Sequence, residues 1–316
     1  MTIAKQPISE LSDTESNATA IAGTSEGLWF LRDSQQHVEL KGHPITALAS
    51  DNDGLWVVDD FKSVWKRDGE GRWNKVASIK DWELKCILPV QGGVLAGTSE
   101  AHLIKITNER IEAIASFEEA EGRNQWYTPW GGPPAVRSMA AGSMGELYVN
   151  VHVGGILRSK DGGKSWQPTI DLHSDVHQVL TVRNRPNLVL AATAQGLAIS
   201  RDGGDSWQFD LTNLHATYSR AVTICGDMIL MSVSVGPHGG KAALYRRRLD
   251  DSGTFEKGQQ GLPEWFSDNI NTGNLTSLGN RVAFGTSEGQ IFISNDAGLT
   301  WKQIGAGLPP INCSIL

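Results

Sequence analysis

Cysteine is scarce in this sequence: the 316 residues hold three, Cys86, Cys225 and Cys313, an odd number without metal-type spacing. That argues against a disulfide framework and a thiolate zinc site. Each thiol sits in an apolar, strand-like run and reads as a buried free cysteine in a reducing compartment. Basic charge is also short, with 28 Lys and Arg against 35 Asp and Glu and a net charge of -7. This removes the basic face that a general nucleic-acid binder needs for phosphate contacts. No apolar run approaches the roughly 18 residues of a membrane-spanning helix. The opening MTIAKQPISELSDTESN lacks the basic start and apolar stretch of a secretory signal, so a cytoplasmic protein is expected, with residues 1–17 a flexible polar segment.

Glycine (35) and tryptophan (11), by contrast, are abundant, as in turn-rich β structure. One pattern, S-x-D-x-G-x-[S/T]-W, occurs three times in full. The copies are Ser159-Lys-Asp161-Gly-Gly163-Lys-Ser165-Trp166, Ser200-Arg-Asp202-Gly-Gly204-Asp-Ser206-Trp207 and Ser294-Asn-Asp296-Ala-Gly298-Leu-Thr300-Trp301. Its chemistry is that of a tight hairpin turn. The Asp carboxylate accepts turn N–H groups, Gly supplies a permissive backbone and Trp folds back over the hairpin. These residues are structural rather than catalytic. The pattern resembles the Asp-box of the sialidase-like BNR-repeat superfamily, whose fold is a β-propeller.

The copies lie 41 and 94 residues apart, and the longer gap is about two propeller blades of forty-odd residues each. A worn copy, Asp250-Asp-Ser-Gly-Thr-Phe255, stands in that gap, and another, Arg67-Asp68-Gly-Glu-Gly-Arg-Trp73, occurs early. A second marker recurs as Ala22-Gly-Thr-Ser-Glu-Gly27, Ala96-Gly-Thr-Ser-Glu100 and Phe284-Gly-Thr-Ser-Glu-Gly289 and reads as the turn from second to third strand. Seven short apolar runs then remain as innermost strands, starting at Ile45, Leu84, Val136, Val176, Ser219, Leu275 and Ile311. The last has no blade after it, and the first unit, from about Thr19 to Leu40, has no innermost strand. The expectation is an all-β, seven-bladed propeller of four-stranded antiparallel blades over residues 18–316, closed by the C-terminal strand completing the first blade. This closure also accounts for Cys313-Ser-Ile-Leu316, which formally matches a prenylation box.

Successive turns of a blade alternate between its ends, so the Asp-turns mark one end, and marker turns and inter-blade loops the other. The latter end carries two long loops with Trp126, Tyr127, Trp130 and Trp265, besides Phe61, Trp82 and Tyr218. These aromatics pack the loops, floor a ligand site or form a docking surface. The second residues of the innermost strands read Thr46, Lys85, Arg137, His177, Arg220, Thr276 and Asn312. Four consecutive potential cations suggest a site for a carboxylate, phosphate or sulfate, unless they pair with acids such as Glu26, Glu100 or Asp175. His152, His173, His177 and His238 map to the same end, with Asp175 between two of them, and a single divalent metal is a third reading.

The resemblance covers nearly all of residues 18–316. In sialidases it implies three arginines on the substrate carboxylate, a Tyr–Glu pair and an acidic residue. The Arg-Ile-Pro segment of those enzymes is absent; the nearest stretch here is Phe30-Leu-Arg32-Asp33. Candidate catalytic groups are His152, His177, His238, Tyr127 and Tyr218. Candidate ligand contacts are Lys85, Arg137, His177, Arg220, Trp126, Trp130 and Trp265. Two functional classes stay open. One is a propeller binding a small anionic, sugar-like ligand, with or without hydrolase or lyase activity. The other is a non-catalytic scaffold, because Asp-box propellers also resemble photosystem II stability and assembly factors. No nucleic-acid or membrane partner is expected.

Overall fold

The computed structural model describes residues 20–32, 35–108, 110–250 and 253–316. The expected flexible segment 1–17 lies outside these residues, as do positions 251 and 252 of the worn Asp250 turn. The described chain forms seven four-stranded antiparallel sheets, the blades of a β-propeller. Among the described residues, no helix is long and apolar enough to cross a membrane.

Each sheet follows a gradient of burial. Second strands are buried along most of their length and read as apolar runs, such as Gly54–Asp59 and Gly93–Thr98, because a strand covered on both faces cannot alternate with polar residues. Outer strands are short and polar, such as Gln35–Glu39 and Gln208–Asp210, which suits an edge facing water.

The chain groups into two compact units. Among the described residues, one comprises 47–191 with 199–208, the other 20–46 with 192–198 and 209–316. In the first unit the blade-opening strands Leu84–Val90, Val136–Ala141 and Val176–Val182 pack successively on one another. In the second, Val222–Cys225, Leu275–Leu278 and Ile311–Ile315 do the same.

The C-terminal strand completes the first blade. Ile311–Ile315 pairs antiparallel with Ala20–Thr24, setting Ile21 opposite Ile315 and Gly23 opposite Cys313. Cys313 is therefore an interior strand residue, not a free tail. Burial pushes its thiol and that of Cys86 up to about 12 and that of Cys225 to about 11. All three are free and unreactive as nucleophiles at neutral pH.

The Gly-Thr-Ser-Glu marker has two separable physical roles. At its glycine the opening strand of another blade passes so closely that a Cβ would overlap it. A Cβ on Gly23 would stand 2.7 Å from Ile45 Cγ2, on Gly97 2.3 Å from Val136 Cγ1 and on Gly285 2.6 Å from Ile311 Cγ2. The threonine staples the turn between second and third strands. The Thr24 hydroxyl donates to Gly27 O at 2.9 Å and accepts from Glu26 N at 3.1 Å. Thr193 repeats this at 2.9 and 3.0 Å in a blade without the marker.

At the opposite end, the three S-x-D-x-G-x-[S/T]-W turns share one hydrogen-bond circuit. In the first, Ser159 Oγ donates to Asp161 Oδ1 at 2.8 Å and accepts from Gly163 N at 2.8 Å. Asp161 then accepts from Lys164 N, Ser165 N and Ser165 Oγ at 2.9, 3.0 and 2.6 Å. Ser200–Asp202–Ser206 and Ser294–Asp296–Thr300 reproduce it. The worn copy keeps the acceptor and the backbone donor and changes the side-chain donor: Asp68 takes Arg72 N and Nε, both at 2.9 Å. Trp166 and Trp301 lie buried over their turns. Within the first unit, Tyr148 Oη and Arg158 Nη1 donate to Gly203 O at 2.9 and 2.5 Å, and Arg158 pairs with Asp205, anchoring one turn to the preceding blade.

Two predictions follow from this construction. Deleting 311–316 strips the first blade of its opening strand, burying Ile311 and Cys313 no longer, and is expected to lower the melting midpoint by at least about 10 °C in calorimetry. At Asp296, slight burial pushes the carboxyl up, but Thr300 and Ser294 outweigh it and hold it down at about 2. Its folded value thus lies below its unfolded one, so its stabilisation is complete above the unfolded value near 3.8 and fades as pH falls toward about 2. The stability gap between the wild type and Asp296→Asn should be constant near neutral pH and shrink on acidification; a gap independent of pH would contradict this.

Candidate functional site

In the first unit, at the end opposite the Asp-turns, two blades bring three chemically active side chains together. His152 follows the second strand of its blade, Leu147–Val151, and its N–H donates to Ala135 O at 2.8 Å. Asp175 and His177 enter the next blade, whose opening strand is Val176–Val182. Asn150 Nδ2 ties the two blades by donating to Val176 O at 2.9 Å. Residues two apart on a strand share a face, so Asp175 and His177 point together.

Both imidazoles address one carboxylate oxygen. His152 Nε2 lies 2.8 Å and His177 Nε2 3.2 Å from Asp175 Oδ1, and the rings stand 5.8 Å apart. The oxygen is shielded from solvent. Burial pushes His152 below the ordinary imidazole range, and the nearby Arg137 charge adds to this against the pull of Asp175. Burial also pushes Asp175 up, but the two histidines outweigh it and hold the carboxyl well below its usual range. At neutral pH the site therefore holds a carboxylate facing a neutral His152.

The loop before this blade forms its rim. Thr128 is buried and its hydroxyl reaches Gly131 O and Gly132 O at 2.8 and 2.7 Å, while Gly131 N bonds back to Thr128 O at 3.0 Å. The bracing leaves Trp130 61% exposed and Tyr127 54% exposed. Trp130 lies 5.1 Å from the His152 ring and Tyr127 6.2 Å from the His173 ring. Trp126 has a different fate. It is only 9% exposed, packed on Phe117 at 5.8 Å and covered by the Arg123 guanidinium at 4.9 Å. It belongs to the hydrophobic core.

The other expected site residues are placed separately. Lys85 pairs with Glu83 at 2.6 Å and lies 4.7 Å over Phe61; the acid is two residues away on the same chain, not Glu100 or Asp175. Arg137 is half-buried in the same unit as His152. In the second unit Arg220 donates to Asn271 Oδ1 at 2.8 Å, Pro237 O at 3.1 Å and Tyr218 Oη at 3.2 Å. Its ladder partners begin only at Val222. Trp265 carries Lys257 Nζ 3.2 Å above its ring and His215 at 4.7 Å. Of the four histidines weighed for a metal, His152 and His177 converge with Asp175. His173 and His238 are exposed and stand outside that cluster.

No family model matches the chain, and no curated protein matches it significantly. Solved structures resemble it in fold. YCF48 bound to D1 peptide is 12% identical with a TM-score of 0.55, over 94% of this chain and 97% of that one. YCF48 from Cyanidioschyzon merolae is 14% identical with a TM-score of 0.63, over 94% and 92%. An ancestral GH74 enzyme is 15% identical with a TM-score of 0.62, over 91% of this chain and 40% of its own length. At such identities the likeness is one of architecture, the seven-bladed propeller, on which unrelated functions are carried.

The two loop tryptophans should separate in a denaturant titration. Trp126→Ala empties a core position and is expected to cost about 3–5 kcal/mol, whereas Trp130→Ala should stay within about 0.5 kcal/mol of wild type. Equal losses would contradict the distinct roles of the two side chains.

Proposed function

We propose that this propeller is a non-catalytic scaffold that binds an extended segment of a partner protein against the 127–134 loop. The observation that carries this reading is the pair Tyr127 and Trp130, held largely exposed on a braced backbone. Aromatic side chains in this setting offer large contact area at little ordering cost, the usual character of binding anchors. The peptide-bound state of YCF48, a propeller of similar architecture, supports the reading by fold analogy.

Two features weigh against the alternatives. Lys85 is neutralised by Glu83, and Arg220 is engaged by three neutral acceptors, which leaves less free cationic character than a small anionic ligand would call on. Asp175 is engaged by two imidazoles, which occupies that carboxylate and disfavours it as one of the acid and base pair of ordinary glycoside hydrolysis.

A thermal-shift comparison of short peptides bearing aliphatic and aromatic side chains with phosphate, sulfate and uronic acids tests the reading. Peptides should raise the melting temperature of the wild type, and Trp130→Ala should weaken the best of them about 30-fold, or about 2 kcal/mol. Stabilisation by an anion that is lost in Arg137→Ala/Arg220→Ala and retained in Trp130→Ala would overturn it in favour of an anion site.

A further inference from the structure

We propose that His152, Asp175 and His177 form a binding site for one divalent first-row transition ion, such as zinc, through His152 Nε2, His177 Nε2 and Asp175 Oδ1. The three ligand atoms lie within 4.8 Å of one another and form such a set on two different blades. His152 and His177 are 5% and 1% exposed, so the set is built into the protein and not assembled on its surface.

The geometry suits an ion better than a hydrogen-bonded triad. In a triad, two imidazoles would be expected to divide between the two carboxylate oxygens, each along its own N–H direction. Here both approach the same oxygen, Oδ1, at 2.8 and 3.2 Å. An ion bonded to two imidazole nitrogens at about 2.1 Å spans them only if they are no more than roughly 4.2 Å apart. The cluster therefore needs to contract by roughly 0.6 Å at most to take an ion at ordinary bond lengths.

The donor set sorts among metals. Two imidazoles and one carboxylate suit zinc and its first-row neighbours, whereas magnesium and calcium demand mostly oxygen ligands. Three protein ligands also leave a coordination position for water or an incoming group. Asn150 Nδ2, bonded to Val176 O between Asp175 and His177, fixes the backbone that presents two of the three ligands. This inference does not depend on the partner-binding reading, since Trp130 stands beside His152 without contributing a ligand atom.

The test is a zinc titration of chelator-treated protein in competition with a chromophoric chelator. Wild type should bind one equivalent and melt at a higher temperature with zinc than without. His152→Gln and Asp175→Asn should each weaken binding by at least about 100-fold, while His238→Ala should leave it unchanged. No stoichiometric zinc in the wild type, or unchanged affinity in both ligand variants, overturns the proposal. Should either variant fail to melt cooperatively, cobalt-loaded wild type decides the matter. Intense visible ligand-field bands of a four- or five-coordinate ion support the site, and the spectrum of the hydrated ion overturns it.

Discussion

The ladder between Ile311–Ile315 and Ala20–Thr24 is the interaction on which this architecture depends. A blade of four strands buries its second strand only if an opening strand covers it, and in the N-terminal blade the strand beside Ala20–Thr24 is Ile311–Ile315. That strand comes from the far end of the chain. Its pairing buries Ile311 and Cys313, covers the backbone edge of Ala20–Thr24 and places Ile311 against Gly285. An uncovered strand there would be an edge open to aggregation.

Two local devices repeat on that frame, one at each end of the blades. At one end the glycine of the marker turn lets opening strands approach closely, and its threonine closes the turn. At the other, an aspartate gathers the amides and hydroxyl of the S-x-D-x-G-x-[S/T]-W turn. Because these devices fix the turns, the loops between blades are free to differ. The 127–134 loop is one such connection, and the His152–Asp175–His177 cluster sits where the connections meet the opening strand Val176–Val182. Function in propellers commonly resides in such connections rather than in the conserved frame.

Much of the fold was legible for a physical reason: close backbone approach demands glycine, and a turn of several free amides demands a carboxylate. The Gly-Thr-Ser-Glu copies and the Asp-turns therefore announced strand ends, and the unpaired run at Ile311 announced the closure. The site was less legible. The pairs Asp175 with His177 and Glu83 with Lys85 follow from the two-residue period of a strand, whereas the approach of His152 comes from the neighbouring blade, which no period along the chain records. The burial of Trp126 was not readable, since it depends on Phe117 and Arg123 in an irregular loop with no period. Nor was the Asn271 and Pro237 environment of Arg220, which arises from loops 17 and 51 residues away.

The most direct test of the account is native-state hydrogen exchange, comparing the amides of 21–24 with those of 311–315. Joined in one ladder, the two segments should open together, with equal free energies of exchange that fall in parallel as denaturant is added. Independent opening, with 311–315 exchanging at the rate of a free tail while 21–24 stays protected, would contradict closure by the C-terminal strand.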